Sequence, residues 1–592
     1  MRKLSHPYQD VFLHDAILTA CRQFGSKTAI IDTSNNDASN PRRITYAEYG
    51  DLVERIARNF AALTTPGSVI AIYHANAWEF AAAYHAATLA QCIPTPLNPS
   101  YREREVRYQL ENSGAALLIT DGCQIKDMDL ARLPALQRVF TTRQAVPGAA
   151  PFSDLLKPNS HPLPQPEQPA NATLAALPYS SGTTGLPKGV MLSHQNLVAN
   201  VYQFIRPNEL ASPTPDDVTL CFLPLYHIYG LNVLLNPVLA LGGTLVLMPR
   251  FDVDRACGLI ASEGITWLPM VPPVMNAFCV AAEAGKFPRD HHVRYTKSGA
   301  APLAPELPRR FAELTGIPVA QGYGMTEASP VTHVGFIEPA LYRPDTIGHL
   351  VAETECKLLL DNGTEVDVTH AGGLMLSDRG GLDSSHPQGV MLSDRGTPAL
   401  NRGPQQARFS LAGVARAGVS VAKHLRSSED PQPNTGELLM RGPQFMLGYW
   451  NAPDATASAL QDGWYHSGDV ARVDRNGFFQ IVDRRKEMIK YKGFPIAPAE
   501  VEACLLEHPY VRDVGVIGRP DLAAGELPIA FVVLRSGLRD GDPGSAKLAT
   551  ELGAWVSDRL TKYKQPQEVH FVASIPRNPS GKILRRDLRS LL

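Results

Sequence analysis

The strongest constraint on the fold is an alternation of two kinds of apolar run in the first half of the chain. "SVIAIYH" (68–74) is apolar and of strand length. It is followed by "WEFAAAYHAATLAQC" (78–92), of helix length, and then by "GAALLITD" (114–121). The same order returns as "GGTLVLMP" (242–249), "RACGLIASEG" (255–264) and "ITWLPMVP" (265–272). Strands apolar at every position are buried on both faces, and their alternation with helices predicts parallel sheets joined by crossover helices. With 592 residues the chain exceeds what one hydrophobic core supports, so several subdomains are expected.

Other features narrow the class. A net charge of −2 argues against nucleic acid as the main partner. The eight cysteines (Cys21, Cys92, Cys123, Cys221, Cys257, Cys279, Cys356, Cys504) form no C-x-x-C pair and read as reduced thiols of a cytoplasmic protein. "MRKLSHPYQDVFLHDA" has no continuous apolar stretch, so no signal peptide is expected. "GLNVLLNPVLALGGTLVLM" (230–248) carries no charge, but Asn232, Asn236, Pro237, Gly242 and Gly243 divide it. A buried helix, a turn and a buried strand fit it better than a membrane span.

The second half is less regular. Residues 368–433 hold a near-duplicate, "GLMLSDRG" and "GVMLSDRG", are rich in Gly, Ser, Asp, Arg and Pro, and show no sustained period. They read as a poorly ordered insertion. From 486 to 592 a second set of apolar faces ("PAEVEACLLEH", "VGVIG", "IAFVVLR", "EVHFVAS") predicts a compact α+β domain, leaving 1–485 as the larger N-terminal domain.

The chemistry begins at "YSSGTTGLPKGVMLSH" (179–194). It is not a P-loop, because Gly, Lys and Ser/Thr are not consecutive, but the ingredients are those of a phosphate site. Gly182, Gly185 and Gly189 open backbone N–H groups to an anion, and Ser180, Ser181, Thr183 and Thr184 add hydroxyls. Lys188 adds charge, and Ser193 is placed to cap a helix running through Leu197, Val201 and Phe204. Three more polar motifs follow: "QGYGMTEASP" (321–330), "WYHSGDVARVD" (464–474), with Asp469 read as lying in a turn beside Gly468, and "NPSGKILRRDL" (578–588).

In this order the motifs resemble the adenylate-forming superfamily of acyl-CoA synthetases, coumarate-CoA ligases, luciferases and peptide-synthetase adenylation domains, over nearly the whole chain except the insertion. The resemblance implies an α/β N-terminal domain of parallel sheets with a distorted β-barrel, and a small mobile α+β C-terminal domain. It implies ATP, Mg²⁺ and CoA. Thr183, Thr184, Gly185 and Lys188 would hold the β- and γ-phosphates. Tyr323, in a motif shared with Gly322, would stack on adenine against the Ser298-Gly299-Ala300 backbone. Thr326 would contact the α-phosphate and Glu327 would ligate Mg²⁺. Asp469 and Arg484 would hold the ribose, and Lys582 would bridge the attacking carboxylate and the α-phosphate. Lys486 matches a hinge position, and Lys490, Lys492 and Gly493 match positions near the nucleotide and the thiol channel.

The acid is read from "LPLYHIYG" (223–230), whose His227 resembles a histidine at the acyl pocket, and from "VPPVMNAF" (271–278). Gly299, Ala300, Ala328 and Val331 are small or aliphatic, and no charge stands out to pair with an α-amino group. Medium- to long-chain fatty acids lead and aryl-propenoic acids follow, because Pro495 stands where coumarate-type ligases carry Gln. A CoA thioester is the expected product. Loading of an acyl carrier protein, or another product of the adenylate such as a β-lactone, is the alternative. A non-catalytic homologue is disfavoured by the joint presence of Glu327, Asp469, Arg484 and Lys582.

Overall fold

The computed structural model of the protein describes residues 8–34, 40–130, 133–180, 187–205, 212–301, 303, 305–339, 341–369, 435–484, 487–491, 494–521, 524–535, 539–542, 544–560, 562–578 and 581–592. The alternation in the sequence becomes two parallel sheets. Val69–Tyr73, buried at every position, pairs parallel with Ile93–Pro96 on one side and Ala115–Thr120 on the other. Arg138–Thr141 and Ala150–Pro151 extend that sheet. The crossover helix Trp78–Leu89 is buried at every position but Glu79 and Leu89, which is why its sequence is apolar all round. The other sheet sets Val218–Cys221, Thr244–Leu247 and Thr28–Asp32 in parallel, with Arg42–Thr45 antiparallel at its edge.

One expected strand fails. In 265–272 only Trp267 and Met270 make single parallel bridges, to Thr219 and Tyr295 and to Ser298. Pro269 has no N–H for a ladder, so the run crosses between sheets without forming a full strand. The segment 230–248 folds as read: helical turns through Gly230–Leu235 and Asn236–Leu241, a left-handed Gly242, and the strand Thr244–Leu247. Among the described residues no helix is long and apolar enough to cross a membrane.

The asparagines that divide that segment belong to a buried hydrogen-bond chain. The Tyr49 hydroxyl lies 2.7 Å from His85 Nδ1, and His85 Nε2 lies 2.9 Å from Asn236 Oδ1. An amide oxygen only accepts, so Nε2 carries the proton and Nδ1 accepts from Tyr49. Asn236 then donates to Asn232 at 2.7 Å, and Asn232 donates to the carbonyls of Leu197 and Ser329. The chain ties the buried helices to the turn that carries the "MTEASP" motif.

The strands Glu365–Asp367, Glu355–Leu359, Thr435–Arg441, Trp464–Val473 and Phe479–Arg484 build an antiparallel sheet, beside which the distorted barrel was expected. Residues 370–433 of the expected insertion lie outside the described residues. The strands flanking it, Glu365–Asp367 and Thr435–Arg441, lie on either side of Glu355–Leu359, so the segment leaves and re-enters one sheet. Asp469 does not sit in a turn. It lies inside Trp464–Val473, where Gly468 takes φ +70° beside an irregularity in the ladder.

Beyond Ile489 the hydrophobic cores are separate from those of the preceding chain. Ile489, Val501, Leu505, Val514, Val532, Leu552 and Val556 pack in one cluster, and Ile517, Phe531, Ile575 and Leu588 in another. Every element expected there forms: helices Pro498–Leu506 and Ser545–Arg559, and strands Val511–Asp521, Gly525–Leu534 and Glu568–Phe571. All eight cysteines are free, Cys123 exposed and the others buried.

Burial lowers the pKa of His85 to about 4, and that of His14 likewise. These folded-state values lie below the ordinary 6.5, so the unfolded chain binds more protons as pH falls from 6.5 towards 4. The stabilisation is therefore complete above pH 6.5 and lost on acidification. For His85 the loss at pH 5 is about 2 kcal/mol. The thermal midpoint should fall between pH 7 and 5, and His85→Gln should flatten that slope.

Candidate functional site

The site forms where short strands from distant parts of the chain meet. Lys188–Ser193 is a strand, not the start of the helix, and pairs with Tyr179–Ser180 so that Lys188 faces Ser180. Ser193 then caps the helix His194–Phe204, accepting from the Asn196 N–H at 3.1 Å while Asn196 Oδ1 accepts from the Ser193 N–H at 2.9 Å. Thr183, Thr184 and Gly185 lie outside the described residues, as do Lys486, Lys492 and Gly493. Gly448–Tyr449 pairs on the other edge of Lys188–Ser193, and Lys188 Nζ lies 5.3 Å from the centre of the Tyr449 ring.

Glu327 is buried against this sheet. Its Oε1 accepts from Tyr449 OH at 2.8 Å and from Ser180 Oγ at 3.2 Å, and its carbonyl accepts from the Met446 N–H at 2.8 Å. Among the described residues no group of three or more His, Cys, Asp or Glu could hold a metal. One buried carboxylate among hydroxyls is the donor set that suits Mg²⁺, which takes one or two carboxylates together with substrate phosphates and water. Thr326 begins the same short helical turn as Glu327.

Ser298 pairs parallel with Gln321, which brings Gly299 against the Gly322 carbonyl, and Ala300 takes φ +67°. Tyr323 follows on the strand Val319–Gly324. Its ring packs edge-on against His333, and its hydroxyl donates to Asp469 Oδ2 at 2.5 Å. Asp469 and Arg484 are cross-strand partners, so both expected ribose contacts leave one point of one ladder. Lys490 lies in Ile489–Tyr491 opposite Pro495.

An apolar cavity opens beside Ala300, lined by Leu223, Pro224, Tyr226, His227, Tyr229 and Val271. Among the described residues, its wall has no Asp, Glu, Lys or Arg. Burial lowers the His227 pKa to about 4, so the imidazole is neutral at pH 7, with Nδ1 accepting from the Tyr229 N–H at 3.2 Å. The Tyr229 ring lies against Gly299 and its hydroxyl donates to the Lys297 carbonyl at 3.0 Å. Of the small residues expected here, Ala300 lines the cavity and Gly299 touches Tyr229, while Ala328 and Val331 are buried in the core.

Lys582 reaches this region from the C-terminal cores. Its loop is closed by hydrogen bonds between Asn578 and Lys582 in both directions, and Arg577, paired with Asp513 at 2.6 Å, donates to the Gly581 carbonyl. Gly581, at φ +85°, packs on Pro273, which follows Val271 of the cavity wall. The structure thus brings Gly581, next to Lys582, to the edge of the apolar cavity. The sequence did not single out Tyr449, the phenol that holds Glu327.

The comparisons agree with this architecture. The AMP-binding enzyme family matches residues 17–381, and its AMP-binding enzyme C-terminal domain matches 500–582. 4-Coumarate–CoA ligase 3 of Oryza sativa subsp. japonica is 34% identical over 96% of this chain and 90% of its own length. 4-Coumarate–CoA ligase 2 of Solanum tuberosum is 34% identical over 98% and 94%. Among solved structures, ATP-bound MatB from Rhodopseudomonas palustris is 25% identical with a TM-score of 0.75, covering 97% of this chain and 98% of its own. o-Succinylbenzoate CoA synthetase from Bacillus subtilis, in complex with its acyl-adenylate intermediate, is 25% identical with a TM-score of 0.73, covering 97% of each chain. The protein belongs to the AMP-binding enzyme family, within the adenylate-forming superfamily. With that membership come AMP-forming acid–CoA ligation through an acyl-adenylate and the use of ATP, Mg²⁺ and CoA.

The contact of Gly581 with Pro273 leaves no room for a side chain, since a methyl group there would lie 2.8 Å from the ring. Gly581→Ala also strains a left-handed backbone by about 1–2 kcal/mol. It should slow acyl-AMP formation on the order of tenfold, read as pyrophosphate release without CoA, and leave the KM for ATP nearly unchanged.

Proposed function

We propose that the protein ligates a compact apolar carboxylic acid to CoA, with aryl-propenoic acids first and medium-chain fatty acids second. The observation that carries this reading is the apolar cavity with Tyr226, His227 and Tyr229 in its wall. Two phenol rings and an imidazole in one apolar wall can pack against an aryl ring, which favours a ring with a short arm over a long acyl chain. The names of the coumarate ligases it resembles support the same order. The long-chain preference read from the sequence becomes the less favoured form, and Pro495 remains the feature that weighs against a coumarate-type acid. Transfer to a carrier protein or conversion of the adenylate to another product is the second reading for the acceptor. A cytoplasmic location goes with this activity.

In the reading we favour, the domain boundary falls at 485/486, and the two half-reactions use its two sides. The substrate carboxylate oxygen attacks the α-phosphorus of ATP, the bond to the β-phosphate breaks, and pyrophosphate leaves. Lys582, delivered by the loop on Pro273, offsets repulsion between the two anions. Ser180, Lys188 and Thr183, Thr184 and Gly185 hold the departing phosphates, and Thr326 holds the α-phosphate. Glu327 would hold Mg²⁺, which supplies positive charge against the phosphate oxygens. Tyr323, Ser298, Gly299, Ala300 and Gly322 frame adenine, and Asp469 and Arg484 take the ribose. His227, neutral, lines the acyl end. The CoA thiol then attacks the acyl carbon, AMP leaves, and the thiol proton is released. Lys490, Lys492 and Gly493 border the path of the thiol, and Lys486 is the hinge.

A panel of cinnamic acids and C4 to C18 fatty acids, with MgATP and CoA, tests the substrate. Preference for cinnamic acids or for C6 to C10 chains agrees with this reading, whereas preference for C16 or longer contradicts it. Lys582→Ala should slow acyl-AMP formation by at least about a hundredfold while thioester formation from supplied acyl-AMP stays near the wild-type rate. Equal loss in both steps would remove Lys582 from this role.

A further inference from the structure

We propose that Tyr449 is a positioning residue that fixes the cation-binding carboxylate of Glu327 and couples it to Lys188. The inference rests on the reading of Glu327 as the Mg²⁺ ligand. The two residues are 122 positions apart, and nothing in either motif joins them.

Three observations support it. First, Tyr449 is itself rigidly held. It pairs with Val190, its N–H donates to Thr456 Oγ1 at 2.8 Å, and the N–H groups of Leu447 and Trp450 on either side donate to the carbonyls of Met191 and Gly189. Second, its hydroxyl gives its proton to Glu327 Oε1, the oxygen that also accepts from Ser180. Two donors on one oxygen fix the carboxylate rotamer, so its metal-facing geometry is set before a cation arrives. Third, the face of the same ring carries Lys188 Nζ at 5.3 Å. One phenol thus touches the candidate metal ligand through its hydroxyl and the candidate phosphate lysine through its ring. The Tyr465 hydroxyl hydrogen-bonds to Tyr449 from behind.

Tyr449→Phe tests this, because it keeps the ring under Lys188 and removes only the donor. Two readouts are needed. One is the Mg²⁺ concentration for half-maximal acyl-AMP formation at saturating ATP and acid. The other is the thermal shift given by a non-hydrolysable ATP analogue in EDTA, compared with the same analogue plus Mg²⁺. The expected result is an increase of about tenfold in the Mg²⁺ requirement. Most of the Mg²⁺-dependent thermal increment should be lost, and the increment from the analogue in EDTA should be retained. Tyr465→Phe, one hydroxyl further back, should shift the Mg²⁺ requirement in the same direction by less, and it serves as the test if Tyr449→Phe lowers the unliganded melting temperature. An unchanged Mg²⁺ requirement in the folded variant overturns the proposal. If the wild-type protein itself shows no Mg²⁺-dependent increment, the assignment of Glu327 fails and the proposal fails with it, a result distinct from a variant that behaves like wild type.

Discussion

The site depends on the burial of one carboxylate. An ionised side chain out of water is costly unless hydrogen bonds replace its hydration. Glu327 meets that condition with donors from two strands that flank Lys188–Ser193. Ser180 comes from the short strand that opens the phosphate motif, and Tyr449 from a short strand late in the N-terminal part of the chain. The Glu327 carbonyl takes the Met446 N–H, and Ser329, two residues on, receives the end of the buried chain from Tyr49 through His85, Asn236 and Asn232. Satisfying that one group therefore fixes the antiparallel edge, the phosphate strand and the helical core relative to each other.

The second constraint is steric. Ala300 and Gly299 bring backbone and small side chains beside the acyl cavity, and Tyr229 fills the space that a larger residue at 299 would take. Gly581 lies against Pro273 with no room for a Cβ, so the Lys582 loop meets the cavity wall edge by backbone packing. Its own shape is kept by Asn578 and by the Arg577–Asp513 pair, both from the C-terminal part.

How far the sequence could be read follows from how local each cause is. Val69–Tyr73, Trp78–Leu89 and the Ser193 cap were legible because apolar period and capping act within a few residues. Local signals also misled. The Gly-, Ser- and Thr-rich phosphate motif carried no strand signal, yet Lys188–Ser193 is a strand because it has partners on both edges. Gly468 suggested a turn at Asp469, but its positive φ is absorbed as a distortion within a strand. An apolar run looked like a strand at 265–272, where Pro269 interrupts the ladder. The family motifs pointed to polar residues of the candidate site in order. They did not point to Tyr449, whose place comes from a contact across 122 residues.

The most direct test is acid-dependent exchange of labelled pyrophosphate into ATP, with Mg²⁺ present and CoA absent. It isolates the half-reaction for which the Lys582 loop, Glu327 and the nucleotide residues stand together. The account predicts exchange that requires both Mg²⁺ and a compact apolar acid such as a cinnamic acid, and thioester appearing when CoA is added. MgATP binding without exchange for any carboxylic acid would contradict it.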